Sequence, residues 1–396
     1  MSRFLFVLDI GFDRGGPSVH LLQEILRSGL AKGHSIEVVL KNTGGTQPEM
    51  PFEFCENPNF KYISIKEEEE KKYGFVGRYL NEVRYARKCS KFFLKQGRYD
   101  AVFLESCTTA IFYIHLLKKL KCPIVFNIQD IFPYNLKLSG QLPFKAITFP
   151  VFRKLQNMAY QRADSLITIS EDMKDTLVQD GVAPQKIAVV YNWSYSNTPI
   201  NLESIPKDSI FNLQLDSEKI NVVYAGNIGK MQNVELIASA AVLSRDDPSV
   251  HYYIIGGGTN CDNIKLMVEG LTNVTMLPMQ PSKYAESLYA QADINVIPLA
   301  PGGVKTALPS KTATVLRVPR PVIFCVDKDS KLSDLLKDDE MAAVVDCVSS
   351  EELLKTIHRI GKPQKNSDGN YQVFLNHFQT TNAEKYIEAM ECLEQR

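Results

Sequence analysis

The stretch Ile294-Asn-Val-Ile-Pro-Leu-Ala-Pro301-Gly-Gly-Val-Lys-Thr-Ala-Leu-Pro-Ser310-Lys-Thr-Ala-Thr-Val-Leu-Arg-Val-Pro-Arg-Pro-Val-Ile-Phe-Cys325 decides the architecture of this 396-residue chain. It opens on an apolar run, Ile294 to Leu299, and ends in another, Val322 to Val326. Between them lie a Gly-Gly turn and residues for one predicted helix, Ser310 to Val318. Strand, loop, helix and strand in that order form the crossover unit of a parallel sheet. The amides at the start of that helix, with Lys311, are expected to make an anion site.

The same alternation extends outward. Phe4 to Ile10, Ser35 to Leu40, Ala101 to Leu104, Ile124 to Ile128, Ser165 to Ile169 and Ile187 to Val190 read as one set of strands. A Gly-rich loop, Gly11 to Pro17, and a helix, Ser18 to Lys32, follow the first of them. Polar residues 194–218 read as a linker. A second set follows: Ile220 to Tyr224, His251 to Ile255, Val274 to Leu277, Ile294 to Leu299, Val322 to Val326 and Ala343 to Val345. Helices are expected at Val234 to Ser244, Ile264 to Glu269, Ser287 to Ala292 and through Asn370 to Arg396. The expected fold is α/β, with two Rossmann-like domains facing a central cleft at the carboxyl ends of their strands. The domains are expected at 1–195 and 196–375, with a terminal helix at 376–396.

Composition narrows the function. Apolar residues make up 44% and charged residues 23%, as in globular proteins, and the net charge of zero gives no overall attraction to nucleic acid. The eight cysteines include no Cys-X-X-Cys pair and no Cys/His cluster, so buried thiols in a reducing compartment are expected. No run reaches the roughly 18 apolar residues of a spanning helix, and the chain opens on a strand without a signal-peptide pattern. No metal-ligand cluster is visible.

The second domain opens with Tyr224-Ala-Gly-Asn-Ile-Gly-Lys-Met-Gln-Asn233, a strand leading into Gly226, then Gly229-Lys230. Small residues there would let a diphosphate approach the backbone, and Lys230 supplies charge. Gly256-Gly-Gly258 offers a second close-approach turn. Both can equally be tight turns after strands.

The order of further segments completes the reading. They are Gly15-Gly16-Pro17, Val125-Phe-Asn-Ile-Gln-Asp-Ile-Phe-Pro133, Tyr160-Gln-Arg-Ala-Asp164, Ile167-Thr-Ile-Ser-Glu-Asp-Met173, Val190-Tyr-Asn-Trp193, Tyr224 to Gly229, Ala292-Asp-Ile-Asn-Val-Ile-Pro298 and Leu308-Pro-Ser-Lys-Thr312. Taken collinearly, the chain resembles the retaining family 4 glycosyltransferases of GT-B fold. The pattern is that of the bacterial capsule and O-antigen subgroup with fucosamine-type transferases. The resemblance implies a hexosyltransferase-type enzyme of surface polysaccharide biosynthesis. It would move a sugar from a nucleotide-diphosphate donor, UDP-linked, to a polyprenyl-diphosphate-linked or other glycan. It also implies that the C-terminal helix crosses back to the first domain, burying Phe374, Phe378, Tyr386 and Leu393.

On this resemblance Lys230 and Lys311 neutralise the diphosphate, and Asp130 holds or deprotonates the acceptor hydroxyl. Gly16, Asn227, Gly229, Gly257, Gly302, Gly303, Val304, Ser310 and Thr314 line the donor, and Gly15, Glu105 and Gln129 the acceptor. No metal and no cofactor beyond the nucleotide-sugar co-substrate are expected. The chain departs from the family at Thr306 and Thr314, where many members carry glutamates, and Asn227 stands where an arginine is common. A non-catalytic GT-B partner subunit or a nucleotide-sugar epimerase of the same fold is the alternative.

Two stretches mix cations with aromatics: Gly74 to Arg98, and Leu142 to Arg162. They fit either ordinary amphipathic helices or an anionic leaflet. The expected location is cytoplasmic, peripheral to the inner face of the plasma membrane.

Overall fold

The computed structural model describes the chain except residues 9–11, 13–16, 43–49, 67–74, 96, 338, 364–370 and 395–396, and the side chains of residues 17, 75, 76 and 78. Gly15 and Gly16 therefore lie outside the described residues. So do Ile10, the acidic run Glu67 to Glu70, Gly74 and the Arg78 side chain. The chain forms two compact units. One holds Met1–Lys137, Leu142–Asn192 and Thr380–Arg396, the other Leu138–Gln141 and Trp193–Gln379.

The first unit runs β1 Arg3–Val7, α1 Pro17–Ala31, β2 Ser35–Asn42, α2 Phe52–Cys55, β3 Phe60–Lys66, α3 Phe75–Phe93, β4 Ala101–Leu104, α4 Ala110–Leu117, β5 Ile124–Ile128, α5 Tyr134–Leu138, α6 Lys145–Arg162, β6 Ser165–Thr168, α7 Glu171–Gln179 and β7 Ile187–Val189. Its strands form one sheet in the order β3-β2-β1-β4-β5-β6-β7. Every pairing is parallel; Phe6 of β1 sits in register with Val38 and Phe103. Phe4, Leu5 and Phe6 are all buried, which is why β1 reads as an unbroken apolar run. The edge strand β3 went unread. Its Phe-Lys-Tyr-Ile-Ser-Ile-Lys pattern is only half buried, as an edge position allows.

The second unit runs β8 Ile220–Asn227, α8 Glu235–Leu243, β9 Val250–Gly257, α9 Cys261–Met267, β10 Val274–Leu277, α10 Ala285–Gln291, β11 Ile294–Pro298, α11 Thr312–Val315, β12 Val322–Val326, α12 Lys331–Leu336, β13 Ala342–Asp346, α13 Ser350–Ile360 and α14 Gln372–His377. Its sheet is ordered β10-β9-β8-β11-β12-β13, again all parallel. α13 was not expected; Ser349 caps it by accepting from the Glu352 amide at 3.1 Å.

Two helical expectations need correction. The helix read over Ser310 to Val318 is α11, four residues long. So short a helix has almost no aligned dipole, and its attraction for an anion must come chiefly from Lys311. The C-terminal stretch is two helices, α14 and α15 Asn382–Glu394, separated at Phe378–Thr381. Buried Phe374 and Phe378 belong to the second unit, whereas Tyr386 and Leu393 belong to the first.

α15 does return to the first sheet, packing on α1 and β4. Gly29 of α1 permits the close approach: a Cβ there would lie 3.0 Å from Ile387 Cδ1 and 2.8 Å from Ile36 Cδ1. Glu391 pairs with His34 at 2.7 Å and Lys32 at 3.2 Å. Desolvation opposes ionisation there, but these two bonds hold its carboxyl below the usual range. All eight cysteines are free thiols; Cys55 and Cys392 are exposed, unlike the buried set expected.

Candidate functional site

In the second unit β8 delivers Tyr224-Ala225-Gly226 to the sheet's carboxyl edge, and the β11–β12 connection brings Lys311 to it. Lys311 Nζ donates to the Ala225 carbonyl at 2.8 Å and lies 4.0 Å from the centre of the Tyr224 ring. The Tyr289 hydroxyl donates to the same carbonyl at 3.1 Å, and the Tyr224 hydroxyl donates to the Asn227 carbonyl. Part of the Lys311 side chain reaches solvent, yet protein crowds its ammonium, and this desolvation pushes its pKa down to about 7. Gly226, at φ +150°, makes room for this lysine, since a Cβ there would stand 2.5 Å from Nζ.

The glycines of the next turn serve their neighbours. A Cβ at Gly256 would come 2.0 Å from the Gly226 oxygen, and one at Gly258 would come 2.5 Å from the Ile228 oxygen. Gly257 alone of the three would accept a Cβ at ordinary van der Waals contact, 3.6 Å from Met279 Cβ. Gly229 precedes a single 3₁₀ turn, Lys230–Gln232. Lys230 is exposed there, and its ammonium makes no hydrogen bond or ion pair among the described residues. Exposed Asn227 donates to Gln232 Oε1 at 2.9 Å.

The 301–314 loop is largely self-satisfied. The Gly302 amide donates to both Asp327 carboxylate oxygens, at 2.9 and 3.1 Å, and the Gly303 amide to Ala300 at 2.8 Å. Val304 is fully buried, so its side chain belongs to the core. Thr306 is buried and donates to Gly303 at 3.1 Å; Ser310 is exposed and Thr314 half-buried. Arg317 is buried against Ser194 Oγ at 2.7 Å and Glu286 at 3.2 Å, and its carbonyl accepts from Ile200. It clamps the linker to this unit, which gives a structural reason for an arginine after so short a helix.

At the carboxyl edge of the first sheet a different arrangement stands. Asn127 donates to buried Glu105 at 3.1 Å and accepts from Gln129 at 3.2 Å. Gln129 in turn accepts from Asn192 at 2.8 Å, and the Tyr386 hydroxyl of α15 lies 3.4 Å from Asn127 Oδ1. Glu105 and Gln129 are thus brought together through Asn127. Asp130 is separate. Its carboxyl reaches solvent, makes no bond among the described residues, and is raised to about 6 by surrounding protein.

Comparison with known proteins settles the lineage. The model of Glycosyltransferase Family 4 matches residues 14–193, and that of glycosyl transferases group 1 matches residues 219–362. The chain belongs to the family 4 glycosyltransferases. WbjE of Pseudomonas aeruginosa, a glycosyltransferase by name, is 24% identical over 221 residues, 54% of each chain. WcaI of Escherichia coli (strain K12), by name a colanic acid biosynthesis glycosyl transferase, is 28% identical over 193 residues, 48% of this chain and 47% of that one. The chain spans about half the length of the curated relatives it matches. Among solved structures, HepE of Anabaena in complex with UDP and glucose superposes with a TM-score of 0.66 at 12% identity, covering 99% of this chain and all of that one. At that identity the likeness is one of fold, GT-B.

In this family 4 glycosyltransferase, sequence reasoning found Lys311 but missed what holds it. Tyr224 entered the reading only as the end of a strand, and Tyr289 did not enter it. Asn127, Asn192 and Tyr386 escaped because their meeting joins strand ends to the far C-terminus. Among the described residues no group of His, Cys, Asp and Glu could hold a metal ion.

Proposed function

We propose that this chain is a retaining, metal-independent glycosyltransferase. It moves a sugar from a UDP-linked donor to a polyprenyl-diphosphate-linked glycan during bacterial capsule or O-antigen assembly, at the inner face of the plasma membrane. The observation that carries this reading is Lys311. A lysine held by one carbonyl and one aromatic face has ammonium protons to spare. It stands among glycine turns at the carboxyl ends of a parallel sheet, where such folds bind ligands. Family membership, the UDP and glucose bound by HepE, and the names of WbjE and WcaI support the same direction.

In this mechanism the acceptor hydroxyl attacks the anomeric carbon on the leaving-group face as the bond to the diphosphate breaks. Lys311 and exposed Lys230 take the developing negative charge. A bound diphosphate would draw the Lys311 pKa up from about 7 and make the lysine fully cationic. Asp130, raised to about 6, is mostly ionised near neutrality and can hold the acceptor hydroxyl or receive its proton.

The test is turnover of UDP- and GDP-sugars with a short-chain polyprenyl-diphosphate sugar, with and without EDTA, and NMR assignment of the product anomer. Retained configuration with a UDP-sugar in EDTA is expected. Recovery only with manganese would overturn metal independence. UDP binding without turnover would favour the non-catalytic subunit, a reading the buried Thr306 supports.

A further inference from the structure

The two cationic stretches of the sequence are neighbours in the first unit. α4 packs against both α3 and α6. Tyr79 of α3 meets Phe152 of α6 with ring centres 5.0 Å apart, and Phe152 continues to Phe132 at 5.4 Å. Tyr79 and Phe152 therefore form the seam, and what remains outside is of two kinds.

On α3 the outer face is basic. Arg84, Arg87, Lys88 and Lys91 are exposed on it, as are Lys95 and Arg98 just past its end, and no Asp or Glu occurs between Glu82 and Asp100. None of the six forms an ion pair among the described residues. In a chain of zero net charge this is a strong local excess.

On α6 the outer face is apolar at its beginning. Phe144 is 83% exposed, Ile147 71% and Val151 52%. This is a built feature: the Thr148 hydroxyl donates to Pro143 at 2.6 Å, and the Ile147 amide donates to Phe144 at 2.9 Å. These bonds hold Phe144 at φ +45°, a conformation a bulky residue rarely adopts. Farther along, Lys154 and Arg162 are exposed beside a shallow hollow of about 450 Å³. Arg153 is different, because its guanidinium is committed to Asp180, with Nε at 2.8 Å.

We propose that α3 and α6 form one composite face that docks on an anionic lipid leaflet. Phe144, Ile147 and Val151 enter the acyl boundary, and the α3 cations lie along the headgroups. A row of cations that pair with no described residue, and a ridge of exposed apolar side chains on a neighbouring helix, complement such a leaflet in charge and in hydropathy. The proposal deepens the lipid-linked reading above by giving it a surface and a division of labour.

The experiment is co-sedimentation of the full chain with phosphatidylcholine vesicles, with and without an equal part of phosphatidylglycerol. Binding is expected only with the anionic lipid. The variant R84Q/R87Q/K88Q/K91Q should lose on the order of a hundredfold in partitioning at about 0.1 M salt. The variant F144S/I147S/V151S should keep a salt-sensitive binding there but lose all binding near 1 M, where screening leaves only insertion. R153Q should bind vesicles as wild type does, since Arg153 faces Asp180. Each variant is exposed-site and is checked for an unchanged melting temperature, except R153Q. No wild-type binding, equal loss in both variants at every salt, or a defect in R153Q equal to that of the α3 variant would overturn the proposal. Sugar transfer to a short-chain soluble acceptor separates the two readings. Transfer without vesicle binding removes the docking face alone, and the variant pattern without transfer removes the transferase alone.

Discussion

The carboxyl edges of the two sheets share a parallel topology and differ in what finishes them. The first is closed by side chains. Glu105, Asn127, Gln129 and Asn192 bond in series, and Tyr386 reaches them from the C-terminal helix. The second is finished by glycine turns, and the Lys311 ammonium set among them makes one hydrogen bond among the described residues. An interlocked edge gives rigidity, because each buried polar group there is costly to orphan. An edge built on glycine backbone, with an ammonium that keeps protons to spare, suits an anionic ligand better than a closed side-chain network does. The contrast teaches that one topology can provide a brace on one sheet and a receptor on the other.

The largest expected effect tests the brace. Removing residues 380–396 exposes the surface that buries Tyr386, Ile387, Met390 and Leu393. At about 1.5–3 kcal/mol per buried side chain the loss is comparable to the whole stability of a typical domain. Urea unfolding followed by hydrogen exchange should show β4 and β5 unprotected while β8 and β9 stay protected. Protection retained in β4 would mean that α15 is dispensable to the closed edge.

Next comes the receptor. Lys311→Ala should cost roughly 2–4 kcal/mol of transition-state stabilisation, a fall of about 30-fold to 10³-fold in kcat/KM. Lys230→Ala should fall on the same scale. Only Lys311→Ala should also remove a titration near pH 7 from nucleotide binding, visible as vanished proton uptake in calorimetry with buffers of different ionisation enthalpy. Proton uptake surviving in that variant would assign it elsewhere.

Gly256→Ala is expected to cost about 1–3 kcal/mol through overpacking, because its Cβ would meet the Gly226 oxygen at 2.0 Å. Gly257→Ala, with 3.6 Å to its nearest neighbour, should leave the melting temperature unchanged. Similar shifts in both would show that the second edge is looser than its geometry.

The last effect is a pH dependence. The folded pKa of Lys311, about 7, lies below its unfolded value, so between the two the unfolded chain holds the extra proton. Stability from this group therefore rises as pH climbs from about 7 to about 10. Lys311→Met should flatten that rise in thermal melts of the full chain. An unchanged slope would indicate an ammonium better hydrated than its packing implies.

Much of the fold was legible because buried parallel strands announce themselves as short apolar runs. Ala101 to Leu104, Ile124 to Ile128, Val274 to Leu277 and Val322 to Val326 have in the structure the bounds read from the sequence. β3 was missed because an edge strand need not be apolar, and α11 was overread because Ser310 and Val318 suit a helix that Pro309 and Pro319 confine. The candidate site was legible only in part. Lys311 and the glycine turns stand in recognisable local order. The partnerships of Asn127 with Tyr386 and of Arg317 with Ser194 join positions 259 and 123 residues apart, where local pattern carries no information.

By itself the sequence determined the α/β class, the two sets of parallel strands and the place of the glycines, because these follow from local hydrophobic period and backbone freedom. Only the tertiary structure decided what those glycines are for. Gly226 makes room for Lys311, Gly256 for the Gly226 carbonyl, and Gly29 for Ile387. It alone also joined α3 to α6. The physical reason is that a missing Cβ is a local fact, whereas the atom that fills its space is chosen by packing between distant segments.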